Sequence, residues 1–329
     1  MRNAMIAGTG AAVPERVVPN KWFNELLGED VDTWLRENVQ IFERRWLRED
    51  ESVADLCEAA AKQALERSGI NAEELDLIII ATDTPEFISP STATVLQNRL
   101  GATNAGSFDV NAACAGFVSA IDTGFKYIQA DKQYNKILVI GAYGMSKYLN
   151  LKDKKTVTLF ADGAGAVILS ATDKQDVGQR ASMQMTQGRY NEWMGIYAGG
   201  TRTTITQIVV QRGEHQLQFV KKFPKELNPT MWSSMALEMV KKAGHDIKEV
   251  KVFFMTQINI NSIFEMLDIL GLPHDKAITI MHKYGYTGSA AIPMALNKAA
   301  EEGLIERGDL IVLIGSGGGL AFAGSLVRY

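Results

Sequence analysis

Two separated stretches of this chain follow one plan. Residues 52–83 read as an Ala-rich helix over 52–68, a stop at Gly69, a short acidic link and an apolar strand over 75–82. Residues 230–257 repeat the plan with a helix over 230–243, a stop at Gly244, a charged link and a strand over 250–256. Setting Gly69 on Gly244 places Ala81 on Thr256 without a gap. Both helices carry apolar residues at helical spacing, and a glycine after the last periodic residue marks a helix end. The later strands agree, since residues 136–142 and 309–315 are near-continuous apolar runs of the kind buried on both faces. A helix–glycine–strand run also occurs in α/β chains without duplication, so the repeat alone leaves its origin open. The alternation of strands and helices predicts two stacked α/β halves, 1–171 and 172–329.

The chain has 329 residues, 46% apolar and 22% charged, enough for two units of domain size. Its net charge of −4 argues against a nucleic-acid partner, whose footprint would be basic. No apolar run approaches the roughly 20 residues of a membrane-spanning helix. Residues 1–8 hold too short an apolar stretch for a signal peptide and are expected to form a first buried strand. Two cysteines and four scattered histidines provide neither a disulfide framework nor metal-ligand spacing. The expected setting is cytoplasmic, soluble and metal-free.

The strongest chemical signal is residues 107–117, in which an apolar strand end runs into small residues, then Cys114, then an amphipathic stretch expected to be helical. A cysteine at such an elbow gains from the helix N-terminus, whose dipole and free N–H groups favour a thiolate. A lone cysteine is equally at home as a small core residue, and these residues alone leave both readings open. Cys57 lies mid-helix among Leu56, Ala59 and Ala60 and is expected in the core. Two glycine-rich runs, 160–166 and 315–319, flank apolar strands. They are expected to be tight turns, with the alternative that Gly318 lends an N–H to an oxyanion hole beside Cys114. No Lys-Ser/Thr follows the second run, so it is not a phosphate loop.

The segment Asn111-Ala112-Ala113-Cys114-Ala115-Gly116-Phe117 resembles the nucleophile block of the beta-ketoacyl-acyl-carrier-protein synthase III family, within the thiolase superfamily. The other blocks follow in order: 81–85 with 90–93, 160–166, 198–202, 284–293, and 317–319 with 326–329. The resemblance implies a duplicated thiolase-like fold, two stacked halves in five layers (αβαβα), and a homodimer. It implies transfer of an acyl group from a coenzyme A or acyl-carrier-protein thioester onto Cys114, with no permanently bound cofactor. The implied activity is that of a condensing enzyme or acyltransferase of fatty-acid or polyketide-type metabolism.

The resemblance breaks at the catalytic triad, which in the family is Cys-His-Asn. The histidine of a Pro-His-Gln-Ala-Asn block falls on Thr256, in Met255-Thr256-Gln257-Ile258-Asn259, and the triad asparagine falls on Tyr286. Losing two oxyanion donors predicts very slow malonyl decarboxylation, because one such donor is typically worth ~100- to 1000-fold in rate. Acylation needs only a thiolate and backbone N–H groups, and without the histidine the thiol is expected near its free pKa of about 8.5. Thr256 and Tyr286 retain hydroxyls able to hold a carbonyl oxygen weakly, or else fill vacated space. His282 is the remaining histidine nearest the altered block, whereas His215, His245 and His274 lie in polar, loop-like contexts. Trp34 matches the family's adenine-stacking residue, but the phosphate-binding arginine falls on Asn38 and a second arginine on Asn261, next to the Asn259 that closes the altered histidine block. Trp34, Asn38 and Asn259 are therefore the expected thioester-binding positions, and Cys114, Thr256, Tyr286 and Gly318 the expected catalytic ones. Phe87, Ile88 and Leu320 are expected to line the acyl tunnel. The alternative reading is an inactive subunit that dimerises with an active homologue.

Overall fold

The computed structural model describes residues 2–329. Two sheets organise it. The first has five strands in the order Asn3–Ala12, Asp162–Thr172, Lys136–Gly144, Leu77–Ala81 and Gly106–Val110. The second runs Gly178–Tyr190, Gly319–Arg328, Leu310–Gly317 and Val250–Met255. In each sheet the first two neighbouring pairs are antiparallel and the next is parallel. The strand that would be fifth in the second sheet is reduced to a single parallel bridge between Phe253 and Ala277. Leu77–Ala81 and Val250–Met255 thus hold the same place in their sheets, as the glycine register predicts.

The repeat extends through the connections. Gly69 and Gly244 both end their helices at positive φ, 67° and 74°. Each is followed by a short 3-10 turn closed by a capping box, Asn71 with Glu74 and Asp246 with Glu249. In such a box each side chain satisfies a backbone N–H that the turn leaves free. The helix expected over 230–243 spans Leu227–Lys242, starting earlier because Pro229 in its first turn surrenders no needed hydrogen bond.

Strand alternation separates the cores. Leu77, Ile79 and Ala81 face the space between the sheets, while Ile78 and Ile80 face an outer core with Cys57, Ala60, Ala61 and Ala64 of the helix Val53–Ser68. Period two puts alternate side chains on opposite faces, so a continuous apolar run serves two layers. Helices Gly116–Ala130 and Ala291–Glu301 each touch strands of both sheets and form the middle layer. Val53–Ser68 and Thr92–Leu100 cover the first sheet outside, and Leu227–Lys242 the second, with Ile260–Ile269 packed against it. The result is the expected αβαβα sandwich. Among the described residues no helix is long and apolar enough to cross a membrane.

The two central helices enter between the sheets through matching turns. Ala113–Ala115 precedes one and Gly288–Ala290 the other, and their first residues have φ of 47° and 50°. The register that sets Gly69 on Gly244 also sets Cys114 on Ser289. A Cβ on Gly141 would overlap the carbonyl oxygen of Ser289. On the other side, a Cβ on Gly315 would lie 2.8 Å from Ala115 Cα, and one on Gly317 would lie 2.6 Å from Cys114 N. Gly315, Gly317, and Gly165 against Pro293 and Met294 lie within strands, so of the turns expected for the glycine-rich runs only that at Gly318, between Leu310–Gly317 and Gly319–Arg328, is present. Close approach of a helix to the sheet, not chain reversal, requires them.

Overpacking of this kind typically costs 1–3 kcal/mol or more when backbone must yield. Gly141→Ala is therefore expected to lower stability by at least ~2 kcal/mol in chemical denaturation. Gly188→Ala, in an exposed strand position with no atom within 4 Å of its added Cβ, is expected to leave the midpoint nearly unchanged.

Candidate active site

Cys114 sits in the turn Ala113–Ala115, just before the helix Gly116–Ala130. The strand Gly106–Val110 delivers the chain to this elbow at the carboxyl end of its sheet, where open α/β sheets place their crevices. Ala113 adopts the left-handed region, costly for a residue with a Cβ. The Asn111 side chain supports it by accepting from Ala113 N at 3.0 Å. Gly317 abuts Cys114 N from the opposite sheet.

Cys114 is almost fully buried yet lines two cavities. The inner one, of about 70 Å³, brings Cys114 together with Thr256, Tyr286, Gly318 and Leu320. The other, of about 230 Å³, carries Asp83, Asn111, Tyr143, Asn191 and Tyr197 beside Met145, Met194 and Leu217. Phe219 lines the inner cavity and also a third one, of about 350 Å³, bounded by Trp34, Lys154, Lys155 and Lys222. Phe219 is thus shared by the cavity at Trp34 and the inner one, and Cys114 by the inner one and the cavity of Asp83.

Hydrogen bonds decide what the side chains offer. Thr256 Oγ1 donates to the Ser316 carbonyl at 3.3 Å and accepts from Ser316 N at 2.9 Å, so its one proton is committed to the backbone. Gln257 donates to Ile278 O and accepts from Ile280 N and Met281 N, which holds the segment leading to Tyr286. Tyr286 itself is fixed by its backbone, donating to Leu159 O and accepting from Ala161 N, and its ring meets Phe160 edge-on. Asp162 anchors the same corner, where its buried carboxylate accepts from Leu47 N at 2.7 Å, Ser146 N at 2.8 Å and the Ser146 hydroxyl.

The electrostatics run against a free thiolate. Burial, and then the negative charge of Asp83, push the Cys114 thiol up to about 12, while the Tyr286 hydroxyl works in the opposite direction. The expectation of a near-ordinary thiol is thereby corrected, because desolvation outweighs the helix terminus. Burial pushes Asp83 to about 6. Its Oδ1 is shut off from solvent and has no hydrogen-bond partner.

This arrangement, a thiol on a glycine-clamped elbow between two equivalent sheets, is matched by known proteins along the whole chain. A family profile described as 3-oxoacyl-[acyl-carrier-protein (ACP)] synthase III matches residues 108–188, and its C-terminal counterpart matches 240–329. A beta-ketoacyl-[acyl-carrier-protein] synthase III of Clostridium perfringens is 35% identical, with 100% of both chains covered. The chain belongs to the beta-ketoacyl-acyl-carrier-protein synthase III family. Among solved structures, the 3-oxoacyl-[acyl-carrier-protein] synthase III of Aquifex aeolicus superposes with a TM-score of 0.89 at 32% identity, covering 99% of this chain and 100% of that one. The priming beta-ketosynthase of the R1128 polyketide pathway gives 0.90 at 26%, covering 99% and 96%.

Within this family fold, the four positions expected around the thiol line one cavity, as does Leu320. Phe87 and Ile88 do not. They are 52% and 87% exposed and border neither cavity at Cys114, because the loop after Ala81 turns outward. Trp34 lies at the far cavity, and Asn261 Nδ2 donates to Asn38 O at 2.7 Å, so the two asparagines that fall on arginine positions meet each other. Asn259 caps the helix Ile260–Ile269, accepting from Asn261 N. His282 lines a separate cavity with Lys283 and Lys298 and does not face Cys114. His245 meets the Glu249 carboxylate at 3.0 Å, and the exposed His274 meets Asp268 at 2.8 Å. Sequence reasoning missed Asp83, Tyr143, Met194 and Phe219. Asp83 had a readable signal, an acid just past the end of a buried parallel strand.

Alkylation by iodoacetamide requires the thiolate. A raised pKa lowers the thiolate fraction at neutral pH, so Cys114 modification is expected to climb ~10-fold per pH unit from 7 to 10. A rate that levels off near pH 8.5 would contradict the burial argument. Cys57, buried mid-helix and raised further, should stay unmodified in the same mass spectra.

Proposed function

We propose that this chain is an acyltransferase of its family in which Cys114 takes an acyl group from a coenzyme A or acyl-carrier-protein thioester and passes it on, with malonyl decarboxylation impaired. The observation that carries this reading is the position of Cys114 on two cavities, one of which shares Phe219 with the cavity at Trp34. A thioester lying across these cavities would set its nucleotide or carrier end against Trp34. Lys154, Lys155 and Lys222 would supply positive charge for its phosphates where the resemblance finds asparagines in place of arginines. Attack by Cys114 Sγ on the carbonyl would form an oxyanion facing backbone N–H groups of Cys114 and Gly318, and collapse would expel the donor sulfur, which takes up the proton that Cys114 gives up and leaves as a thiol from the acyl-enzyme. The protein is proposed to act as a dimer, as the resemblance implies.

The impairment follows from donors. Decarboxylation builds an enolate on the malonyl thioester oxygen, which needs hydrogen bonds that strengthen as charge develops. The Thr256 proton is directed to Ser316 O, leaving only the Tyr286 hydroxyl facing the thiol. The raised thiol pKa and the lack of an imidazole on either cavity at Cys114 favour a second reading, an inactive subunit paired with an active homologue.

Intact-mass analysis after incubation with acetyl-, butyryl- and octanoyl-coenzyme A separates the two readings. Acyltransfer predicts one adduct, absent in Cys114→Ala, and the inactive-subunit reading predicts none. Carbon dioxide release from malonyl-coenzyme A should be undetectable or very slow. The double variant Thr256→His with Tyr286→Asn should raise it ~100-fold or more while changing acylation little. Each single change should do much less. Tyr286 fills the room that an imidazole at 256 needs in a cavity of about 70 Å³, and two donors to one oxygen act as a unit.

A further inference from the structure

Among the described residues Asp83 is the one carboxylate lining the 230 Å³ cavity, and its part-buried place beside a nucleophilic sulfur is unexplained by acylation alone. Among the described residues no lysine, arginine or histidine lines that cavity. The titratable groups whose charges couple with Asp83 are Cys114, Tyr143, Tyr148 and Tyr286, all neutral at pH 7. Tyr143 and Asn191 line the same wall, yet Oδ1 of Asp83 accepts from neither, and the residue's own backbone N–H is the one donor that lowers the pKa of its carboxylate. A carboxylate this poorly hydrogen-bonded is undercompensated for its lost hydration, and because Asp83 is only part-buried and lines the cavity with Cys114, a molecule bound there and bearing an O–H or N–H would supply a donor.

We propose that Asp83 is the general base for the second half of the reaction, and that the acyl acceptor is an uncharged alcohol or amine rather than a malonyl thioester. The inference rests on Cys114 carrying the acyl group. As the acceptor oxygen or nitrogen bonds to the acyl carbon, its proton moves to the Asp83 carboxylate. The bond from that carbon to Cys114 Sγ then breaks, and the departing sulfur takes the proton back from Asp83. Thiol and carboxylate are both regenerated, and no other reactant is needed. A carboxylate with a pKa near 6 is mostly ionised at pH 7 and close enough to the working pH to act as a base. The same charge disfavours a malonyl group, whose own carboxylate would have to approach it with no cation between them.

The test follows ester formation from 1-butanol, using whichever of acetyl- and octanoyl-coenzyme A labels Cys114, with acyl-enzyme occupancy read by intact mass. In the parent, the ester is expected to form, with a rate that rises through pH 6 as Asp83 ionises. Asp83→Asn should slow ester formation ~100-fold or more, flatten that pH profile, and let acyl-enzyme accumulate. The same variant should speed iodoacetamide modification of Cys114 roughly 5-fold at pH 8, because a charge that disfavours the thiolate is gone. Cys57 remaining unmodified shows that the variant is folded. A parent whose Cys114 takes no acyl group from either thioester would end the acyltransferase reading before any acceptor is added, and this inference with it. With the acyl-enzyme formed, three results would overturn the inference alone: an Asp83→Asn protein making ester at the parental rate, one losing ester formation without accumulating acyl-enzyme, or a parent discharged faster by malonyl-coenzyme A than by 1-butanol.

Discussion

The elbow at Cys114 is held by steric exclusion between two sheets. Gly315 and Gly317 let the second sheet close on Ala115 and on Cys114 N, and Gly141 lets the first close on Ser289 of the matching turn. Nothing larger than hydrogen fits at these points. Both central helices are thereby held close to the sheets at their starts, and the left-handed Ala113 is held by the Asn111 side chain and by the close approach of Gly317. Interiors packed at crystal-like density transmit such constraints rather than absorb them. The layer order, the cavity positions and the aim of the thiol all follow from it.

The same closure sets the chemistry. Two sheets brought this near exclude water from the nucleophile, and desolvation becomes the largest influence on its pKa. It also commits the Thr256 hydroxyl, because the strand Leu310–Gly317 runs close enough for Ser316 to take both its proton and its lone pair. A side chain that reads in the sequence as a spare donor is, in the folded chain, a tie between the strand end and its neighbour.

Much of the architecture was legible beforehand because it is encoded locally. Helix stops at Gly69 and Gly244, apolar strands at Leu77–Ala81 and Leu310–Gly317, and small residues around Cys114 each act through neighbours in sequence. The cavity partners of Cys114 were legible only through the resemblance, since Thr256 and Tyr286 carry no local mark of their position. The glycine-rich runs are turns only at Gly318 and the positive-φ Gly319 of the second; their other glycines lie within strands, because a glycine needed for close packing and a glycine needed for a turn look alike in sequence. Phe87 and Ile88 stand away from both cavities at Cys114 of their own chain, since an apolar pair in a loop does not reveal which way the loop faces.

By itself the sequence determined that the chain alternates strands and helices in two like halves and presents a cysteine at a strand-to-helix elbow. Periodicity, capping and small-residue runs are short-range, and they survive without knowledge of what lies opposite. Only the tertiary structure decided that an acid far from Cys114 along the chain shares its cavity, that the thiol is desolvated rather than activated, and that the Thr256 proton points into backbone. These outcomes depend on distances across the sandwich. A side chain's charge, its solvation and its hydrogen-bond partner are properties of the space the fold encloses, not of the order of residues that encloses it.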